Sequence, residues 1–456
     1  MNAIDWPTLP LGTLLTDIQS GFASGEHNSI GEGVPHFRPM NVSTDGRIER
    51  TVLKYVDPAS GRPELRLRRG DVIFNNTNSP ELVGKTALFE DDDAPAFSNH
   101  MTRLRTDRDR LDPGYLALRL HQAWREGWFA EHCNNHVSQA SIGRDVLRLF
   151  EIELPPLELQ QAIYALYHRV DTSRASSSAH LAIARRAIER FRQAVLTVAC
   201  SGQLTADWRE EHRDAQSVKV ALAALPNGPH LRSPDDDLSD LALPDFPGTY
   251  VLATVRRAAT ALEYGTSKRA DADSITGIPV LRMGNIHDRR LGLDDLKFIE
   301  EDREIRRLVL ADGDLLFNRT NSPELVGKSA VFHEHTLMTF ASYLIRVQFA
   351  SDVADPDFVN FWINSAWGKA WARQVKTDGV SQSNINGTKL GAMPVPLPPI
   401  EEQREIVRRT SRMLELADGL LAHIGMASRR VERSPQAILA KAFRGELSTA
   451  RASNGT

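Results

Sequence analysis

The chain is written twice. Residues 70–90 read GDVIFNNTNSPELVGKTALFE and residues 313–333 read GDLLFNRTNSPELVGKSAVFH, identical at fifteen of 21 positions with an offset of 243 residues. The same offset relates Asp112-Pro113 to Asp355-Pro356, Trp124 and Trp128 to Trp367 and Trp371, and Val137-Ser138-Gln139 to Val380-Ser381-Gln382. It also relates Leu154-Pro155-Pro156 to Leu397-Pro398-Pro399, and Gln193-Ala194 to Gln436-Ala437. Upstream the register slips by one residue, so that Arg38 and Asn41 match Arg282 and Asn285. One register held over most of each half is an internal duplication, and it predicts two similar modules.

Each half has the same two parts. The first is mixed: short apolar runs such as Val72-Ile73-Phe74 and Leu315-Leu316-Phe317 stand between Gly, Asn, Pro and Asp turns and predict strands. A helix is predicted from near Tyr115, or Phe358, carrying the Trp pair on its buried face. After the Leu-Pro-Pro break a long charged helix begins. In the second copy a seam runs through Ile406, Thr410, Met413, Ala417, Leu420, Ile424, Ala427, Val431, Ser434 and Ile438 in alternating steps of four and three. In the first it runs through Ile163, Tyr167, Val170, Arg174, Ser177, Leu181, Ala184, Ile188, Phe191 and Val195. Heptad spacing of this length calls for a partner helix, and two such helices in one chain can pair antiparallel with each other. Pro435 is expected to kink or restart the second helix.

The fold class that follows is α+β: two tandem mixed modules at 1–156 and 246–399, and helical segments at 157–205 and 400–450 pairing as an antiparallel coiled coil with pseudo-two-fold symmetry. Between the halves, residues 206–245 hold Pro226, Asn227, Gly228, Pro229, Pro234 and Asp235-Asp236-Asp237, the composition of a linker.

Composition excludes several function classes. At 456 residues, 41% hydrophobic and 25% charged, the chain is neither disordered nor fibrous. The longest uncharged apolar stretches, such as Ala194 to Cys200, fall far short of the ~20 residues of a membrane span, and the N-terminus lacks the pattern of a signal peptide. Two cysteines supply neither a disulfide framework nor a Cys-rich zinc site, so a cytoplasmic, thiol-reduced protein is expected. Net charge is −4, which argues mildly against nucleic acid, although a local basic face can sit on an acidic protein.

Catalytic motifs are missing. Gly84-Lys85-Thr86 and Gly327-Lys328-Ser329 suggest a phosphate loop, but Ser79 and Ser322 stand where its first glycine belongs, and a strand-like run follows where a helix should open. There is no Asn/Asp-Pro-Pro-Tyr/Phe of an adenine-methylating site, and no HExxH, GxSxG or CxxC. His132 and His136, with Cys133 between them, have no counterparts in the second half and read as ordinary polar residues.

What the duplication keeps is a polar loop: Asn75-Asn76-Thr77-Asn78-Ser79 with Lys85, and Asn318-Arg319-Thr320-Asn321-Ser322 with Lys328. Such residues cluster in turns for local hydrogen-bonding reasons. Asn and Arg are also side chains that reach base edges bidentately, while Lys neutralises phosphate. The flanking segments have diverged while the loops have not, which points to constraint on the loops themselves. Arg38, Asn41, Ser138 and Gln139, with Arg282, Asn285, Ser381 and Gln382, are further candidates for DNA contact.

Taken in order, and twice, these features resemble the specificity subunit of type I restriction–modification systems over essentially the whole chain. The carrying motifs are the tandem repeat, the Leu-Pro-Pro-(Leu/Ile)-Glu-x-x-Gln boundaries at 154–160 and 397–403, and the Val-Ser-Gln segments. The helix-ending runs Ala199-Cys200-Ser201-Gly202-Gln203-Leu204 and Ala442-Phe443-Arg444-Gly445-Glu446-Leu447 belong with them. The resemblance implies two target recognition domains, each reading half of a gapped double-stranded DNA site, with the helices as a spacer that docks two adenine methyltransferase subunits. It implies a non-catalytic chain without cofactors of its own. S-adenosylmethionine would belong to the methyltransferases; ATP and Mg would belong to the partner subunits, with cleavage on any motor-nuclease subunits. The alternative from another class is a duplicated non-DNA adaptor holding two protein-binding modules. The two loops differ mainly at Asn76 and Arg319, so the half-sites are expected to share bases on opposite strands and diverge where these residues point.

Overall fold

The computed structural model describes residues 6–58, 62–135, 139–225, 242–271, 277–379 and 382–443. Ser138, Ser381, His136 and the Asp235–Asp237 run lie outside them, as does the helix-ending run from Arg444 onward. The chain forms two compact units, one of residues 1–180 and 428–456, the other of residues 181–427.

In the first unit a four-stranded antiparallel sheet runs in the order Leu15–Ser20, Met101–Thr106, Val72–Asn75, Thr86–Leu88, its inner strand Val72–Asn75 buried on both faces, with Val72 and Phe74 in one core and Ile73 in another. Val34–Phe37 pairs with Lys54–Val56 and, in parallel, with Ala96–Phe97. A small sheet joins Thr77–Asn78 to the hairpin Asn134–Asn135/Ala140–Ser141, and Thr8–Pro10 pairs with Glu151–Glu153. The second unit repeats all four. Its large sheet runs Ala259–Tyr264, Leu344–Phe349, Leu315–Asn318, Ser329–Val331, and its small one joins Thr320–Asn321 to Thr377–Asp378/Ser383–Asn384. Ile278–Leu281 pairs with Lys297–Ile299 and Thr339–Phe340, and Val251–Thr254 with Pro394–Leu397. The strand Thr86–Leu88, like Ser329–Val331, occupies the place where a phosphate loop would need a helix.

The tryptophan helices depart from expectation. In the first unit the helix Pro113–Arg125 ends before Gly127, whose φ of 85° is left-handed, and Trp128 opens a second helix, Trp128–His132. In the second unit the helix breaks earlier, at Ser365, whose hydroxyl accepts from Gly368 N, so both Trp367 and Trp371 lie on the helix Ala366–Val375. All four tryptophans pack against the cores.

The long helices are Leu157–Cys200 and Ile400–Phe443, 44 residues each and about 66 Å at 1.5 Å per residue. They are joined to their modules by one device. Gln160, fully buried, accepts from Asp112 N (2.9 Å) and donates to Arg110 O (3.0 Å) and Pro155 O (2.8 Å). Gln403 does the same with Asp355 N (2.8 Å), Val353 O and Pro398 O (both 2.9 Å). The Gln that recurs in both boundary motifs is thus a staple between the module and the first turn of its helix.

The helices pack antiparallel. In the first unit Ile163 shares a core with Leu439 and Ala442, and Arg174 and Ser178 bond Glu432. In the second, Val195 and Leu196 share a core with Ile406 and Leu414, and Arg192 pairs with Asp418. The expected heptad seam holds over most of both helices, with Ile163, Val195, Ile406, Thr410 and Ala417 buried, and slips locally. Phe191 and Leu420 are 47% and 55% exposed, while Arg192, Leu414 and Leu439 take the buried positions. A straight helix drifts against a seven-residue repeat, and local one-residue slips of this kind take up the drift. Pro435 does not break the second helix. Ser434 Oγ donates to Val431 O at 2.7 Å and occupies the carbonyl that Pro435, having no N–H, leaves free. The expected linker is also partly folded: Ala206–Glu211 and Lys219–Ala224 are helical, and Arg209 pairs with the fully buried Glu402. Among the described residues no helix is long and apolar enough to cross a membrane.

Candidate nucleic-acid interface

The near-identity of the two polar loops has a backbone cause. In the first copy Leu82 N and Val83 N donate to Ser79 O, Gly84 N to Asn75 O and Asn75 N to Lys85 O. In the second, Leu325 N and Val326 N donate to Ser322 O, Gly327 N to Asn318 O and Asn318 N to Lys328 O. Asn78 Oδ1 and Asn321 Oδ1 each accept from the next residue's N–H, at 2.9 and 2.8 Å. Gly84 and Gly327 carry φ of 95° and 89°, open to glycine at no steric cost.

This geometry corrects part of the expected site. Asn75 and Asn318 are fully buried strand ends. Asn75 Nδ2 donates to Pro39 O at 2.9 Å, whereas neither side-chain polar atom of Asn318 has a partner among the described residues. Lys85 is buried, its ammonium bonded to Val42 O and its pKa lowered by desolvation. Asn75, Asn318 and Lys85 therefore face the interior, away from any duplex. Asn41 and Asn285 are also buried; they accept from Arg38 N and Arg282 N at 2.9 Å and close short 3-10 turns. Arg38 is half-buried at that turn, and Arg282 pairs with Asp295 at 2.9 Å.

What remains at the surface is one constellation per module. Asn76, Thr77, Asn78 and Ser79, like Arg319, Thr320, Asn321 and Ser322, are half-buried. Asn76 and Arg319 make equivalent bonds: Asn76 Nδ2 donates to Asn99 O (3.2 Å) and Thr102 Oγ1 (3.0 Å), and Arg319 Nη1 to Ser342 O (3.3 Å). The Arg319 guanidinium also lies over the Tyr264 ring, 4.9 Å from its centroid. The small sheet sets the hairpin beside this loop, with Asn78 opposite Ala140 and Asn321 opposite Ser383. Gln139 and Gln382 stand exposed on these hairpins. The exposed hairpin strands Asn134–Asn135 and Thr377–Asp378 complete the surface, and sequence reading missed them because two-residue strands leave no periodic signal.

Lys328 parts company with Lys85. It is half-buried, its ammonium makes no hydrogen bond or ion pair with the described residues, and it lines a cleft of about 620 Å³. His132 and the two cysteines are tied into the fold. His132 bonds Trp128 O at 2.8 Å and stacks on that ring, Cys133 Sγ donates to Ala130 O, and burial pushes the Cys200 thiol up. Among the described residues no three His, Cys, Asp or Glu side chains could together hold a metal.

No family model matches the sequence. The chain is 30% identical over 454 residues to the type I restriction enzyme EcoBI specificity subunit of Escherichia coli, covering 95% of this chain and 84% of that one. It is 27% identical over 463 residues to the EcoKI specificity subunit of E. coli K12, covering 97% and 89%. Among solved structures it is similar to the HsdS subunit from Thermoanaerobacter tengcongensis, with a TM-score of 0.56 at 18% identity over 97% of both chains. A second, solved in work on complex assembly and conformational transition of the type I R-M system, gives a TM-score of 0.62 at 18% identity, covering 98% of this chain and 100% of that one.

Proposed function

Because the chain belongs to the specificity subunits of type I restriction enzymes, we propose that each of its two modules reads one half of a gapped double-stranded DNA site. The observation that carries this reading is the surface built twice: a loop of Asn, Thr and Ser side chains, paired by a two-residue strand to a hairpin that presents an exposed Gln. Amide and hydroxyl groups on a rigid strand pair are suited to base edges in a groove, and phosphate contacts set their register. Two equivalent surfaces in one chain match a site with two halves, as in dimeric readers.

The paired helices serve in this reading as spacer and as dock for two adenine methyltransferase subunits. Ile183, Phe191, Leu416, Leu420 and Met426 leave apolar surface on them, at 47–72% exposure. In this reading the docked subunits cover these side chains. The chain itself acts without catalysis. S-adenosylmethionine belongs to the methyltransferases, which flip the adenine from the stack, and ATP and Mg to motor-nuclease subunits where these accompany it.

The test is residue by residue. Gln382→Ala, in the chain assembled with its methyltransferase, relaxes or changes the second half of the methylated sequence and leaves the first half intact; Gln139→Ala does the reverse. Loss of both halves together in either variant would contradict a division of labour between modules.

A further inference from the structure

The two modules share a loop but differ in what lies behind it. In the first, the Phe129 ring packs against Gly84, where an added Cβ would sit 2.5 Å from a ring carbon. Phe129 is fully buried, edge-on to Phe74 at 4.9 Å. At the matching position of the second module the residue is Ala372, and the nearest atom to a Cβ on Gly327 is the Ala372 methyl, at 3.0 Å. Removing the ring leaves a cleft of about 620 Å³ between the loop and the helix Ala366–Val375.

The cleft is basic. Lys328, Lys369, Arg373 and Lys376 line it, against the single carboxylate of Glu324. Arg373 is exposed and its guanidinium, like the Lys328 ammonium, makes no hydrogen bond or ion pair with the described residues. Lys376 pairs with Asp378 at 2.9 Å, and Lys369 donates to Gln193 Oε1 at 3.1 Å. The Lys369 ammonium is held below the usual range by burial first and then by Arg289, with Asp288 opposing and Arg373 and Arg192 adding to the lowering. Positive charge is thus in excess around the cleft. In the first module the corresponding residues are Glu126, Ala130 and Cys133, and Lys85 is bonded inward.

We propose that this cleft is a phosphate seat, found in the second module alone, in which Arg373 and Lys328 hold one backbone phosphate of the DNA half-site beside the Asn321-Ser322 loop. The assignment rests on the DNA-reading function proposed above and adds an asymmetry to it. The second module anchors the duplex electrostatically, whereas the first depends on its polar loop and hairpin. A phosphate is favoured over an acidic protein segment because two uncompensated cations flank one compact opening directly against the base-reading surface.

The experiment is a salt titration of equilibrium DNA binding by the chain assembled with its methyltransferase subunits, comparing wild type, Arg373→Ala and Ala372→Phe. Removing one neutralised phosphate makes the slope of log K against log salt shallower by about 0.9, which is roughly a 3.5-fold change across a fourfold range of salt. Arg373→Ala is expected to show this change with the recognised sequence unaltered. Ala372→Phe, which fills the cleft without changing charge, is expected to show it too. One neutral methylphosphonate linkage in the second half-site should weaken wild type but not Arg373→Ala. An unchanged slope in Arg373→Ala overturns the seat while leaving DNA reading intact. Loss of the methyltransferase from Arg373→Ala, with the slope retained, overturns it in favour of an acidic protein partner. Absence of salt-dependent duplex binding by wild type overturns the seat and the DNA-reading function together.

Discussion

The staple at the foot of the second long helix gives the sharpest energetic test. Gln403 is fully buried and makes three hydrogen bonds to backbone groups: the N–H of Asp355, which caps the helix Pro356–Asn364, and the carbonyls of Val353 and Pro398. Gln403→Ala removes all three and leaves those groups buried without water. At about 1–3 kcal/mol for each unsatisfied group, the loss is at least about 3 kcal/mol. For a unit of this size that corresponds to a fall of roughly 6–12 °C in Tm. Thermal and urea unfolding of the assembled complex measure it, and Gln160→Ala should match it in the other unit. Because the staple fixes the helix to its module, the same variant is expected to methylate sites whose gap differs by one base pair. A loss below about 1 kcal/mol, with the gap unchanged, would refute the claim that this Gln, and not the prolines, locks the junction.

Three further outcomes are expected. His333 bonds Asp357 at 3.0 Å and Asp312 at 2.8 Å, which raise its pKa to about 9 from 6.5. Its contribution is full below pH 6.5 and lost as pH rises through 9, so wild type and His333→Gln should differ in Tm at pH 6 and converge by pH 10; a constant difference would contradict the pairing. Gly84→Ala meets the Phe129 ring at 2.5 Å and Gly327→Ala only a methyl at 3.0 Å, so the first should cost more stability than the second although both carry positive φ. Asn76→Arg should shift the first half of the methylated motif toward the second; an unchanged motif would show that these two side chains brace their loops without reading bases.

The duplication, the mixed modules and the long helices were legible because each leaves a pattern many residues long. The inward turn of Asn75, Asn318 and Lys85 was not. Residue type shows that a turn is polar, but the strand register decides which polar side chain points to solvent. The helix seam was legible too, apart from its local slips. Heptad counting places Ile163, Val195, Ile406, Thr410 and Ala417 in the seam, but it does not foresee that Arg192 and Leu414 are buried while Phe191 and Leu420 are exposed. The exchange of Phe129 for Ala372 was visible in the aligned halves, yet its meaning depends on Gly84 and Gly327 lying directly opposite, which only the fold supplies.

The most direct test of the central claim is single-molecule sequencing for N6-methyladenine in two hosts, one expressing this chain with its methyltransferase and one lacking only this chain. The account predicts a gapped, two-part motif that is methylated in the first host and disappears in the second. The same methylation in both hosts, from a methyltransferase shown to be active, would contradict it.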